Sequence, residues 1–495
     1  MDRRIRLFLL LIIFTLTLTG CEQEDAIASD ILIHKDLNGI DIEKLNQYDI
    51  EVDLDYDNKT YISKQYTTYV NNTEKTIGEI YFHIYPNAFK SLDTSPILLK
   101  EKIKDPLNYN NGYIEFINIS RDNKVLDYKT IGEDNTILNI KLDEPLLKEQ
   151  KVNIYMEYNV KLPSSMDRFG YGEHTINLGN WYPIVCVYDE DGWNLDPYYS
   201  IGDPFYSNLA NYNISIKTEK DVVIASSGNI ISETIIDNKK VYDIQGSLIR
   251  DFAFVASKEL RIAEEKVDGT TIKLYYLDDN TNTVKECLKF SRQSLEVFNK
   301  IYGKYPYSVY SVVLTEFPSG MEYPSIVFIS EEYFRYSVVD LLEKVIVHET
   351  AHQWWYGLVG NNQIDEPWLD EALSTYSEII YYKQIYGEKS SQEYFDYNIR
   401  LGYEYGKRYL AGKNIVLQSL DDFYGWDDYG ILVYTKGALF INEIKELFGE
   451  KALYEILNTY FTEFKFYNAT TKDFIDICQR LTKYNFTELV DKWLY

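Results

Sequence analysis

What this 495-residue chain has little of narrows its possibilities first. Four cysteines are too few to staple a protein of this length. The 12 prolines and 25 glycines gather into no long linker, and no repeat or low-complexity block is present. Loosely strung modules are therefore not expected. Positive charge is scarce: 50 Lys and Arg face 77 Asp and Glu, a net charge of -27. A chain that acidic repels phosphate, so no nucleic-acid partner is expected. Histidine is rare, with five in all. Long apolar runs are absent but for residues 7–18, whose 12 positions fall short of the roughly 20 needed to span a bilayer as a helix. Against these absences stand 45 % apolar and 26 % charged residues, an ordinary globular balance that leaves ample surface to bury. The length suggests about two to four domains. The 47 tyrosines carry no functional signal by themselves.

The one apolar run has Arg3, Arg4 and Arg6 before it and ends in Leu18-Thr19-Gly20-Cys21. Basic start, short apolar stretch and small-residue end read as a secretory signal over residues 1–20. The ending resembles a bacterial lipobox, which implies lipidation of Cys21, a membrane anchor, and a place on the extracytoplasmic face of a bacterial cell. Residues 21–45 then read as a tether. That compartment permits disulfides, but Cys186, Cys287 and Cys478 are odd in number and far apart, and read as buried free thiols.

Two halves differ in periodicity. Residues 46–258 alternate apolar and polar, as in Tyr48-Asp49-Ile50-Glu51-Val52-Asp53-Leu54, with Asn- and Asp-rich turns between runs. This predicts an antiparallel β-sandwich or saddle. From 259 to 495 helical spacing dominates. It predicts a helix over 281–302 closed by Gly303, a strand over 308–315, and further helices to the end. The fold class is α+β. The halves are expected to pack directly together, with a cleft between them.

Residues 348–352 read His348-Glu349-Thr350-Ala351-His352, inside an apolar helical run over 341–355 with a predicted capping box of Ser337 and Asp340. A four-residue step puts both imidazoles on one helix face. Two such nitrogens suit zinc, and Glu349 beside them can act as base toward a metal-bound water. Chance occurrence of this pattern in a chain so poor in histidine is on the order of 10⁻³–10⁻². Catalytic zinc needs a third protein ligand. After His352 come 18 residues and then Glu371, within Trp368-Leu369-Asp370-Glu371-Ala372, one turn into a helix that Pro367 opens. Asp365, Glu366 and Asp370 read as helix-start charges, and His34, His83 and His174 as structural or surface histidines. Thr375, four residues after Glu371, is a candidate partner for that carboxylate.

HExxH, 18 residues and a Glu within Trp-Leu-Asp-Glu-Ala resemble the gluzincin peptidases of the aminopeptidase-N type. Phe82 to Asn87, Asn180 to Pro183 and Arg250 to Ala253 extend the resemblance into the β half. It implies a thermolysin-like, mainly helical catalytic half with a small mixed sheet, and one Zn2+ per chain. It further implies that Ser319-Gly320-Met321-Glu322-Tyr323 stands where the family has a substrate-binding strand. There Glu322 would hold the free amine of a peptide, and Gly320 and Met321 would lie along its backbone. Tyr434, followed by Thr435-Lys436-Gly437-Ala438, resembles the family's catalytic tyrosine. The expected activity is removal of single residues from peptides with a free N-terminus. With about sixty residues after Tyr434, no counterpart is expected of the large helical domain that roofs many relatives, and a more open cleft is expected with it. A zinc endopeptidase, or a non-catalytic surface binding module with a structural zinc, are the alternatives.

Overall fold

Alternation makes the strands of the first half. In Asn46–Asp55, Tyr48, Ile50, Val52 and Leu54 are buried while most of the residues between them are partly exposed. The same period-two pattern runs through Thr60–Val70 and Lys151–Lys161, so each strand has one apolar face to cover. The computed structural model describes residues 31–93, 95–98 and 109–495. The expected signal segment and Cys21 lie outside the described residues. An eight-stranded sheet runs, edge to edge, through Asn229–Ile236, Lys239–Ile249, Ala210–Glu219, Asn46–Asp55, Thr60–Val70, Lys151–Lys161, Tyr113–Arg121 and Lys124–Val125. The antiparallel expectation fails at one pair: Asn46–Asp55 and Ala210–Glu219 run parallel. Parallel neighbours need a long connection, and the chain between these two strands supplies one. Two four-stranded sheets share the core of this half.

The second half opens with a five-stranded mixed sheet, in the order Arg261–Val267, Thr270–Tyr276, Val309–Thr315, Ile326–Ser330 and Gly320–Met321. Ile326–Ser330 is buried along its whole length, which explains its continuous apolar run. Gly320–Met321 is the edge strand, paired antiparallel with Phe328 and Ile329. Helix Thr281–Ile301 is capped by Asn280, whose side chain accepts from Thr283 N at 3.3 Å. Helices then dominate to Trp493, so the chain is α+β. Among the described residues no helix is long and apolar enough to cross a membrane. Cys186, Cys287 and Cys478 are buried and unbridged.

The HExxH helix runs over Val339–Ala351, shorter than the 341–355 read from the apolar pattern. Its apolar continuation, Trp354 and Trp355, is buried in the turn that follows, so burial there mimicked helical periodicity. The capping box is absent. Ser337 takes a positive φ of 53°, and its hydroxyl accepts from Asn280 Nδ2 at 3.2 Å instead.

Arg250 locks the two halves together. It is 2 % exposed, and its guanidinium donates to Tyr356 O (2.8 Å), Ser207 O (3.2 Å), Tyr467 O (2.7 Å) and the Asn468 side chain. All these acceptors are neutral oxygens. Burial pushes the guanidinium pKa down to about 10, still charged at neutral pH. Arg250→Ala leaves several buried carbonyls without a donor, each worth about 1–3 kcal/mol. A fall in unfolding free energy of about 3 kcal/mol or more is expected, read from urea melts. A change below about 0.5 kcal/mol would show that water replaces the guanidinium at no cost.

Candidate metal centre and active site

The four-residue step does what helical geometry requires. His348 in the last turn and His352 at the C-cap bring their Nε2 atoms to 3.1 Å. Glu371 enters from helix Trp368–Tyr386, whose N-cap is Pro367, and sets Oε2 3.1 Å from His348 Nε2 and 3.3 Å from His352 Nε2. Three donors bound at about 2.0–2.1 Å to one tetrahedral ion stand about 3.4 Å apart, so this set fits such an ion. All three residues are buried.

Second contacts orient the donors. His348 Nδ1 lies 2.8 Å from Glu378 Oε1, and His352 Nδ1 lies 3.0 Å from Trp355 O. Both therefore present Nε2 to the centre. Glu378 in turn accepts from the Tyr394 hydroxyl. Burial disfavours charge on His348, yet Glu371 and Glu378 carry its pKa up to about 9. Burial likewise opposes ionisation of Glu371, but His352 and His348 hold its carboxyl well below the usual range. With both imidazoles neutral and Glu371 ionised, the three form a nitrogen and oxygen donor set that suits a divalent cation.

Thr375 does not fill the role expected of it. Its hydroxyl is buried with no hydrogen-bond partner among the described residues. On the same helix it is Glu378 that supports a metal donor, His348. Glu378 was overlooked, although seven residues after Glu371 is two turns along the same face. Asp370 stands in the first turn of its helix, as expected, but not in solvent. It is buried, its Oδ1 accepting from Glu371 N (2.9 Å) and its Oδ2 from Gln363 Nε2 (2.6 Å), and burial pushes its pKa to about 7. Glu366 accepts from Thr471 N, 2.7 Å away. His83 is buried and stacked on Tyr85, His174 faces Glu259, and neither joins a group of possible metal donors among the described residues.

Glu349 stands on the HExxH helix beside the metal donors but outside their set. Burial pushes its pKa up to about 7 against the pull of both imidazoles. It faces the edge strand so closely that a Cβ at Gly320 would collide with its carboxylate. Next along that strand Met321 is buried, and Glu322, 3 % exposed, has an Oε1 with no hydrogen-bond partner. The strand is held from both sides. Gln353 accepts from Ser325 N (2.8 Å) and donates to Tyr323 O (3.2 Å). The Tyr323 hydroxyl donates to Asn180 Oδ1 (2.7 Å), and Asn180 Nδ2 donates to Asp251 Oδ2 (2.6 Å). Two of the family-like phrases of the β half, those of Asn180 and Asp251, thus converge on the segment that carries Glu322.

Two further β-half residues reach the site, and no local pattern announced either. Asp203 brings a carboxylate oxygen to Glu322 and Glu371; one donor atom from each of the three lies within 4.8 Å of the others. Arg168 donates to Asp203 Oδ1 (2.5 Å), Gly202 O (3.2 Å) and Met321 Sδ (3.0 Å). Tyr434 arrives on the widened helical turn Gly430–Lys436. Its hydroxyl donates to Glu371 Oε1 at 2.7 Å, and its ring stacks on His348 with centroids 5.7 Å apart.

Comparison with known proteins agrees with this geometry. The peptidase family M1 domain matches residues 281–493. Aminopeptidase N of Lactobacillus helveticus is 22 % identical over 470 residues, covering 90 % of this chain and 50 % of its own. Human endoplasmic reticulum aminopeptidase 2 is 22 % identical over 373 residues, 71 % of this chain and 37 % of its own. The chain thus spans half or less of the length of these curated relatives. The crystal structure of an M1 zinc metallopeptidase from Deinococcus radiodurans superposes with a TM-score of 0.64 at 14 % identity, over 91 % of this chain and 94 % of that one. A mutant of it bound to a Tyr-Ser-Ala substrate gives 0.62. Its likeness extends through the β half as well as the helical one. The helical half over residues 281–493 is thus similar to the peptidase family M1 domain, and the whole chain shares its two-part fold with an M1 zinc metallopeptidase.

Proposed function

We propose that this protein is a zinc-dependent aminopeptidase that hydrolyses the first peptide bond of peptides with a free N-terminus. The observation that carries the reading is the pairing of a three-donor metal centre with an unpartnered buried carboxylate, Glu322, a short step along the cleft. His348, His352 and Glu371 would hold the zinc. When bound, zinc supplies a polarised water and positive charge beside the scissile carbonyl. Glu349, with a pKa near neutral, takes the proton from the attacking water and returns it to the leaving amine. Tyr434 donates its hydroxyl toward the oxyanion as charge develops there. Glu322 accepts from the α-ammonium, with Asp203 as the second carboxylate, and so fixes the register at one residue from the end. Gly320 leaves room for substrate backbone between the edge strand and Glu349, with Met321 lining the same approach. That a mutant of a protein of the same fold was crystallised with a Tyr-Ser-Ala substrate supports a peptide as the substrate here.

An endopeptidase with the same chemistry has no need of an amine anchor. Free and N-acetylated copies of one peptide separate the two. The free peptide is expected to lose its first residue and the acetylated one to persist, with a chelator stopping the cleavage. Equal cleavage of both peptides would establish the endopeptidase. No cleavage of any peptide by zinc-loaded protein would leave a binding module.

The N-terminal pattern supports one more part of the reading: lipidation at Cys21, anchoring the enzyme on the extracytoplasmic face of a bacterial membrane.

A further inference from the structure

Beside the imidazole pair lies a second group of donors made only of oxygen. We propose that Asp203, Glu322 and Glu371 form a second divalent-cation site, sharing Glu371 with the first, and that an ion bound there excludes the substrate's α-ammonium. Only the exclusion rests on the aminopeptidase reading; the site rests on geometry.

Each of the three carboxylates is nine-tenths buried or more, and one donor atom from each lies within 4.8 Å of the other two. Glu322 Oε1 has no hydrogen-bond partner. A buried carboxylate oxygen without a donor is costly, and a cation that displaces its proton relieves that cost as well as the proton does. Arg168 does not meet that need, because its guanidinium bonds go to Asp203, Gly202 O and Met321 Sδ. Carboxylate oxygens are hard donors that suit Mn2+, Mg2+ and Ca2+, whereas the imidazole pair suits zinc, so the two sites differ in the ion they favour. Two ions sharing one carboxylate stand about 3.5–4 Å apart, a spacing that a single bridging residue spans. The space that receives an ammonium group is the space such an ion fills. Excess divalent ion thus acts as a competitive brake on the enzyme.

The test uses the full zinc-loaded protein titrated with Mn2+, free Mn2+ being counted by electron paramagnetic resonance. The acidic surface will hold some Mn2+ weakly, so Glu322→Gln is the reference. Wild type is expected to take up one equivalent more than Glu322→Gln, in which loss of one anionic ligand weakens the site about tenfold or more. Asp203→Asn should lose the same equivalent, but it deprives buried Arg168 of its partner and risks the fold, so Glu322→Gln carries the test. Leucinamide is expected to displace the bound Mn2+, and N-acetyl-leucinamide to leave it. Equal uptake by wild type and Glu322→Gln overturns the site. Uptake that leucinamide cannot displace upholds the site and removes the amine from it, so the two readings fail separately.

Discussion

Glu349→Gln is expected to keep its zinc and lose about 10²–10⁴-fold in turnover of aminoacyl arylamides, the share that a positioned general base contributes. The substitution keeps shape and removes only the proton acceptor. Glu349 is not among the three metal donors, so metal content measured by mass spectrometry should match wild type. Folding should also survive. The native carboxyl already has its pKa near 7 through burial, so a neutral amide in its place costs little. The loss should fall on kcat and kcat/KM alike, because proton transfer is needed only on the way to the transition state. Activity within a few-fold of wild type at full zinc occupancy would move the base to another residue. Glu322 and Asp203 are the carboxylates near enough to be tried next.

Tyr434→Phe is expected to lower kcat by about 10²–10³-fold, the measured worth of one oxyanion donor, with KM little changed. The same hydroxyl also bonds Glu371, a metal donor. Removing it can therefore weaken zinc binding by about 10–100-fold, as such outer contacts do. Assays at saturating zinc separate the two effects. A kcat deficit that vanishes when zinc is raised would reduce Tyr434 to a support for Glu371. A deficit that persists at full occupancy assigns it to the oxyanion.

How legible the site was depended on whether its residues lie on one regular element. His348, Glu349 and His352 share a helix, and a period of 3.6 residues fixes their faces before any tertiary contact is known. Glu371 follows from the chain length needed to turn and come back. Tyr434 and Glu322 could be placed only through family resemblance, since an edge strand of two residues and a widened helical turn leave no periodic trace. Asp203 and Arg168 could not be placed at all. They stand in irregular segments of the β half, and only the packing of one half on the other brings them to the metal centre. The β half was legible as strands because its alternation is strict. The parallel pair inside its largest sheet was not, because strand direction leaves no mark on alternation. The missing capping box has a similar cause: Ser337 and Asp340 have the right spacing, but a positive φ at Ser337 turns its hydroxyl away from the helix start.

Gly320–Met321 is the outermost strand of its sheet and only two residues long. A peptide laid along it can gain at most a few main-chain hydrogen bonds, which are blind to side-chain identity. On the function proposed above, the grip on a substrate would then rest chiefly on the charged tip that every unblocked peptide carries.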